Sequence, residues 1–366
     1  MVKSIFKKFI HSIIPYEPGK PIEEVERELG IRKAVKLASN ENPLGPSKKA
    51  IRAMREALSK VHLYPDGGCF YLKEQLSDEF KLSKNHFVIG NGSNEIIELL
   101  ARGFVSPGDR VIASDQSFLV YPLITQVCGG EFVSLPMNDG RYDLEGIAKL
   151  VNDRTKIIFV SNPNNPTGTY VTDDEVEDFL GQIPKRIIVC FDEAYYDFVN
   201  AKDFPNSLAY IKAGRENIII LRTFSKSYGL AGLRIGYGIA HPDVVQYLDK
   251  VRQPFNVNQL AQVAACAALS DKLFLKKTQQ LIWTEREYVC KELKKMGFQY
   301  LPSQANFILF NAGRDAAPIF QALLKKGIIV RGMKAYGLPN YLRVTIGKHS
   351  ENKTFLKALS AVYYTA

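Results

Sequence analysis

The sequence predicts an α/β chain with a large domain built on a mostly parallel seven-stranded sheet sandwiched by helices, plus a smaller α/β domain. Three observations lead there. Short β-branched runs alternate with longer amphipathic stretches from about Phe87 onward, the rhythm of βαβ units. The runs are nearly all apolar, as strands covered by helices on both faces must be. A length of 366 residues, 46% hydrophobic and 23% charged, supplies enough chain for a large core and a second lobe.

At the N-terminus, Ile5, Phe6, Phe9, Ile10, Ile13 and Ile14 alternate with Lys3, Lys7, Lys8 and His11 in a helical pattern. This predicts a basic amphipathic arm packed on the protein or on a dimer partner. A membrane-surface helix has the same pattern. Charge interrupts the apolar residues, however, and no small-residue cleavage site precedes Pro15. No stretch approaches the roughly 18 apolar residues of a spanning helix. Segments 15–19 and 40–46 read as Pro/Gly-rich turns around a short helical piece at 22–30. Segment 47–60 has helical spacing through Ile51, Met54, Ala57 and Leu58.

Strands are expected at 87–89, 110–113, 131–135, 156–161, 186–191, 217–221 and 235–239. After Pro254 the texture changes to long helices at 259–269 and 271–296. Strands at 306–310 and 342–345 then surround a helix at 317–325. The expected division is 1–44 as N-terminal arm and part of the small domain, 45–254 as the large domain, and 255–366 as the C-terminal small domain.

The net charge of +10 asks for an anionic partner. Basic residues are spread in modest pairs such as Lys48-Lys49 and Lys294-Lys295 with acids between them. That pattern favours a phosphorylated small molecule; no nucleic-acid partner and no membrane partner is expected. Cys69, Cys128, Cys190, Cys266 and Cys290 are scattered and odd in number, so neither a disulfide framework nor a metal site is suggested, and a cytoplasmic location fits.

The most informative segment is 223–237, which sets Lys226 among small and hydroxyl residues after an apolar run and eight positions before Arg234. An amine in a partly desolvated pocket loses proton affinity and becomes a nucleophile toward an aldehyde, as a lysine carrying pyridoxal phosphate must. Arg234 offers a planar fork for a phosphate.

Four further motifs fall where such sheets build their sites. Gly90 to Glu95 form a glycine turn leading onto a helix N-terminus, a seat for phosphate. Ser161 to Gly168 form a proline-stiffened turn that holds an asparagine at the sheet edge. Asp192 to Tyr195 close an apolar strand with a carboxylate, costly when buried unless a cation such as a protonated pyridine nitrogen meets it. Arg343 sits inside an apolar strand and needs an anion, either a substrate carboxylate or a structural acid. Each motif by itself also reads as an ordinary turn, cap or structural charge; together they point to one site.

With Asn40-Glu41-Asn42-Pro43, Tyr64-Pro65-Asp66-Gly67, the turn at 164–168, the block at 192–195 and the segment around Lys226, the chain resembles the fold-type-I pyridoxal-phosphate aminotransferases. Within them it is similar to the branch acting on histidinol phosphate. The resemblance runs from about Tyr16 to Gly347.

It implies pyridoxal 5′-phosphate held covalently by Lys226, which then moves the proton between the substrate's α-carbon and C4′ of the cofactor. Asp192 would pair with the ring nitrogen, Asn165 and Tyr195 would hold the phenolic oxygen, and Phe118 would stack on the ring. The phosphate would be met by Ser93, Asn94, Thr223, Ser225 and Arg234, and by Tyr64 of a neighbouring subunit in a homodimer with shared active sites. Arg343 and Asn40, with the extra anion-binding residues Tyr16 and Arg331, would take the substrate.

The implied reaction is ping-pong transamination of L-histidinol phosphate with 2-oxoglutarate, giving imidazole acetol phosphate and L-glutamate in histidine biosynthesis. An aromatic amino acid (phenylalanine or tyrosine) aminotransferase of the same family is the alternative, followed by a phosphate-amino-acid decarboxylase sharing the cofactor contacts.

Overall fold

The computed structural model describes residues 5–15, 21–31 and 33–363. Its centre is a seven-stranded sheet in the spatial order Phe87–Gly90, Gly236–Ala240, Ile218–Thr223, Ile188–Asp192, Thr155–Ser161, Arg110–Ser114, Glu131–Leu135. Each expected strand is present to within two residues. Gly236–Ala240 runs antiparallel to both its neighbours, and every other pairing is parallel.

Alternation along the strands explains why they read as continuous apolar runs. Ile158, Val160, Val189, Phe191, Ile218 and Ile220 point into one core, with side chains of helices Phe70–Phe80, Asp173–Gln182 and Gln259–Leu269. Ile157, Phe159, Ile188, Cys190, Ile219 and Leu221 point into the other, with helices Ser93–Phe104 and Pro242–Val251. Successive residues of a strand face opposite ways, so burial on both faces demands apolar residues at every position.

A second sheet, antiparallel throughout, has the order Arg331–Gly332, Tyr341–Thr345, Phe307–Asn311, Gln299–Tyr300. It packs with helices Ala317–Lys325 and His349–Tyr363 around Phe307, Phe310, Leu342, Val344 and Phe355. Val35–Lys36 pairs parallel with Ile328–Ile329, so the start of the chain is tied to its C-terminal part.

Two expectations change. The shift in texture at Pro254 is not a change of core: Ala261, Ala264, Ala265 and Ala268 of Gln259–Leu269 share the large core with Ala50, Leu72 and Leu76. The changeover falls inside the single helix Lys272–Lys295, whose Leu275 packs on the large core while Ile282, Val289 and Leu293 belong to the smaller one. The N-terminal arm, in turn, holds a 3-10 turn at Lys8–Ile10 in place of a helix. Phe9 packs on Gly129, where an added Cβ would lie 3.0 Å from its ring, while Ile5 and Ile14 remain exposed. So short an amphipathic stretch, ended by Pro15, cannot sustain a helix without a surface along its whole apolar face. No helix among the described residues is long and apolar enough to cross a membrane.

Candidate active site

Three parallel strands end side by side in Ser161, Asp192 and Thr223, and all three residues line a cleft of about 280 Å³. This is the carboxyl edge at which open α/β sheets place their ligands. Lys226, Tyr195, Asn165, Phe118, Ser93, Asn94, Ser225 and Arg234 join them from the loops and helix ends of the large domain. Asn40, Arg331 and Arg343 close the cleft from the other side. Tyr64 does not line it; it is 82% exposed and stacks on Phe255 with centroids 4.8 Å apart. Tyr16 lies outside the described residues.

Lys226 follows the strand Ile218–Thr223 in a loop that turns back at Gly229. There φ is +70° and a Cβ would stand 2.2 Å from the carbonyl of Gly45, so glycine is required. Lys226 Nζ donates to the carbonyl oxygen of Ser39 at 3.0 Å. Burial, then the neighbouring Arg343 guanidinium, lowers its pKa to about 7, with Glu41 opposing. The ammonium form predominates below that value and the nucleophilic amine above it. Borohydride trapping of an added aldehyde on Lys226 should therefore rise with pH and level off just above about 7. A midpoint near that of a free lysine, 10.5, would contradict the buried geometry.

Asp192 is 4% exposed. Its Oδ2 accepts from the Tyr121 hydroxyl at 2.8 Å and its Oδ1 from the Ala194 N–H at 3.2 Å. Burial raises its pKa to about 6, against the opposing pull of the Tyr121 bond. Among the described residues no cationic side chain lies within ion-pair distance of it. Tyr121, three positions after Phe118, stands 71 positions from Asp192 in an apolar helix, Val120–Val127, whose pattern reads as core and assigns it no role in the site. Tyr195 is buried, accepts from Asn40 Nδ2 at 2.9 Å, and is pushed up to about 12 by burial, so it stays a neutral hydroxyl. Asn40 thus reaches the cleft largely through Tyr195; its backbone N–H and its Oδ1 are both bonded to Thr345.

The cleft has two seats for anions. At one end, helix Ser93–Phe104 begins after Gly92, whose φ is +78°, and no side chain caps its first N–H groups. Arg234 Nη2 lies 2.5 Å from where a Cβ of Gly92 would be, and Ser93 N lies 2.6 Å from where one of Gly236 would be. The glycines let a guanidinium close on a helix N-terminus, a pairing of positive groups that suits a phosphate. Arg234 Nη1 also reaches Ser225 Oγ at 3.4 Å.

At the other end, Arg331 and Arg343 are directly opposed across antiparallel strands. Opposed residues share a face, and like charges there are destabilising unless an anion lies between them. Arg343 donates through Nη1 to Asn165 Oδ1 and through Nη2 to the carbonyl of Ala38 at 2.8 Å, while its buried Nε has no partner.

A buried carboxylate with no cation at ion-pair distance, a lysine whose pKa is lowered to about 7 and a helix N-terminus faced by an arginine fit a ligand that bears a protonated ring nitrogen, an aldehyde and a phosphate. The fold and the cleft are those of an amino-group transferase: over residues 32–359 the sequence matches aminotransferase class I and II, and the chain belongs to that family. It is 48% identical over 356 residues to the histidinol-phosphate aminotransferase of Moorella thermoacetica, covering 97% of this chain and 92% of that protein. With the histidinol-phosphate aminotransferase of an Anaeromyxobacter species the figures are 47% over 356 residues, 96% and 97%. The crystal structure of histidinol-phosphate aminotransferase from Sinorhizobium meliloti in complex with pyridoxal-5′-phosphate matches with a TM-score of 0.91. The two are 29% identical, with 99% of this chain and 98% of that one covered.

Proposed function

We propose that the chain is a pyridoxal-phosphate-dependent transaminase that transfers the amino group of L-histidinol phosphate to 2-oxoglutarate, yielding imidazole acetol phosphate and L-glutamate in histidine biosynthesis. The observation that carries this reading is the pair of opposed arginines, Arg331 and Arg343, which line the same cleft as Lys226 and the seat at Ser93 and Arg234. One seat takes the cofactor's phosphate; the other takes the anionic end of the donor. Two guanidiniums match a phosphate dianion better than a single carboxylate.

When bound, pyridoxal phosphate supplies a ring that accepts electron density from the donor's α-carbon. Lys226 Nζ would hold the aldehyde carbon until the donor's amino group displaces it, and the released amine would then carry the proton between the α-carbon and C4′. Asp192 would keep the ring nitrogen protonated. Tyr195 and the amide of Asn165 would hold the phenolic oxygen, and Phe118 would cover the ring. Ser93, Asn94, Thr223, Ser225 and Arg234 would hold the phosphate.

A second reading rests on a separate observation. A more apolar cavity of about 760 Å³, walled by Leu119, Phe320 and Met333 among others, adjoins the cleft and shares Ala38 and Arg331 with it. Such a space suits a phenyl ring, so phenylalanine and tyrosine are the competing donors.

The deciding experiment mixes cofactor-loaded protein with histidinol phosphate, phenylalanine, tyrosine or glutamate and follows loss of the yellow lysine-bound cofactor. Histidinol phosphate and glutamate should both react, and the former should show the highest kcat/KM of the three donors other than glutamate. Phenylalanine or tyrosine in first place would overturn the assignment. Arg331→Ala should raise KM for histidinol phosphate by roughly 10- to 150-fold, the equivalent of about 1.5–3 kcal/mol for a hydrogen bond to a charged group. It should leave the phenylalanine reaction within a few-fold; an equal loss for both would show that Arg331 does not read the phosphate.

The same reading makes the protein a homodimer. Val61, Leu63, Tyr64, Phe70, Tyr71 and Phe255 form an exposed apolar surface that a second copy would cover, and Tyr64 would then serve the neighbouring site. Five free thiols suit the reducing cytoplasm.

A further inference from the structure

Tyr121 belongs to none of the motifs that mark the site, yet it touches two of the groups that would hold the cofactor's ring. Its side chain is fully buried. The hydroxyl donates to Asp192 Oδ2 at 2.8 Å. The ring lies flat on Phe159, with centroids 4.4 Å apart and planes at 1°. It meets Phe118 edge-on, at 5.8 Å and 87°. Phe159 is a central-strand residue with no exposure, so the stack ties Tyr121 to the close-packed interior beside the sheet.

We propose that Tyr121 is a positioning residue that sets the cofactor ring from two sides at once: it orients and keeps ionised the carboxylate that meets the ring nitrogen, and it backs the aromatic side chain that covers the ring's face. The inference rests on the cofactor reading above and adds a residue to it.

The physical case is one of compensation. Asp192 is buried beside Glu193, with Tyr142, Tyr195 and Cys190 also nearby, and the opposing charge of Lys226 comes after burial and the hydrogen bonds in setting its charge balance. Its ionised form is disfavoured by that burial and supported by few donors. The Tyr121 hydroxyl is one of two groups donating to it, and a hydrogen bond to an ionised group is about twice as strong as one between neutral groups. Burial holds the Tyr121 phenol far above its usual pKa, so the hydroxyl keeps its proton and always donates. If the carboxylate were to take up a proton instead, it would lose its attraction for a cationic ring nitrogen. The T-shaped contact adds geometric restraint on Phe118, which has no hydrogen-bonding group of its own to fix it.

The test is Tyr121→Phe in the full-length chain, which deletes the hydroxyl and keeps both ring contacts. Affinity is measured by titration for pyridoxal phosphate and for its analogue with CH in place of the ring nitrogen. Tyr121→Phe should weaken pyridoxal phosphate about tenfold, as loss of about 1.4 kcal/mol does, and leave the analogue within twofold. The pH below which pyridoxal phosphate affinity declines should also move upward, because the carboxyl protonates more readily. Equal weakening of both ligands, or of neither, would overturn the proposal. Should the variant fold poorly, Asp192→Asn decides: adding Tyr121→Phe to it should cost no further affinity, and an undiminished tenfold loss would refute the coupling. Failure of the underlying reading has a different signature, in which the unsubstituted chain takes up neither ligand.

Discussion

Lys226→Ala should abolish transamination, lowering the half-reaction rate by at least roughly four orders of magnitude, because one change removes both the nucleophile and the proton carrier. Mass spectrometry after borohydride reduction should find no adduct on the chain. The fold should survive: Nζ has a single hydrogen bond, to the Ser39 carbonyl, and its burial is a cost rather than a support. The sign follows from its lowered pKa of about 7, against 10.5 when unfolded. Between those values the unfolded chain binds the extra proton, so stability rises with pH across that window. Without cofactor, the variant should melt at or above the parent near pH 7, with the advantage fading as pH approaches 10.5. Measurable turnover in the alanine variant would remove Lys226 from the mechanism.

Asp192→Asn should keep the cofactor, which Lys226 and the seat at Ser93 and Arg234 still hold, and should slow the half-reaction by roughly 10²–10³-fold, the effect of losing one preorganised electrostatic group. An amide cannot keep the ring nitrogen protonated. The variant without cofactor should be more stable than the parent at neutral pH. Asp192 has its pKa raised from 3.8 to about 6, so its cost is fully present above about 6 and disappears as pH falls to 3.8. Thermal melts at pH 4 and pH 7 would read that difference directly. A rate within a few-fold of the parent would show that ring-nitrogen support is unnecessary.

The strands were legible because both faces of the sheet are covered, leaving continuous apolar runs between turns, and their boundaries held to within two residues. The lysine loop was legible because a cationic residue amid small, hydroxyl and glycine residues is chemically out of place, and thirteen of the expected site residues line one cleft. Tyr121 was not, since its partner Asp192 is distant in sequence and its helix reads as plain core. Two-residue pairings such as Val35–Lys36 with Ile328–Ile329 carry no periodicity to detect. The change of core was hidden for another reason: a long helix repeats every 3.6 residues whichever neighbour it meets, so its pattern is silent about where one neighbour gives way to the next. The arm misled in the opposite direction, by showing a helical pattern without length to support it.

The helix Lys272–Lys295 has 24 residues, a rod of about 36 Å at 1.5 Å per residue. Because it contributes side chains to both hydrophobic interiors, neither half of the molecule is a cassette that can be excised or grafted intact. A seam drawn at Pro254 would strip the alanine-rich cover from Ala50, Leu72 and Leu76 and leave the rod without its first anchorage. Chimeras built from this protein must therefore inherit residues 259–295 as one indivisible unit.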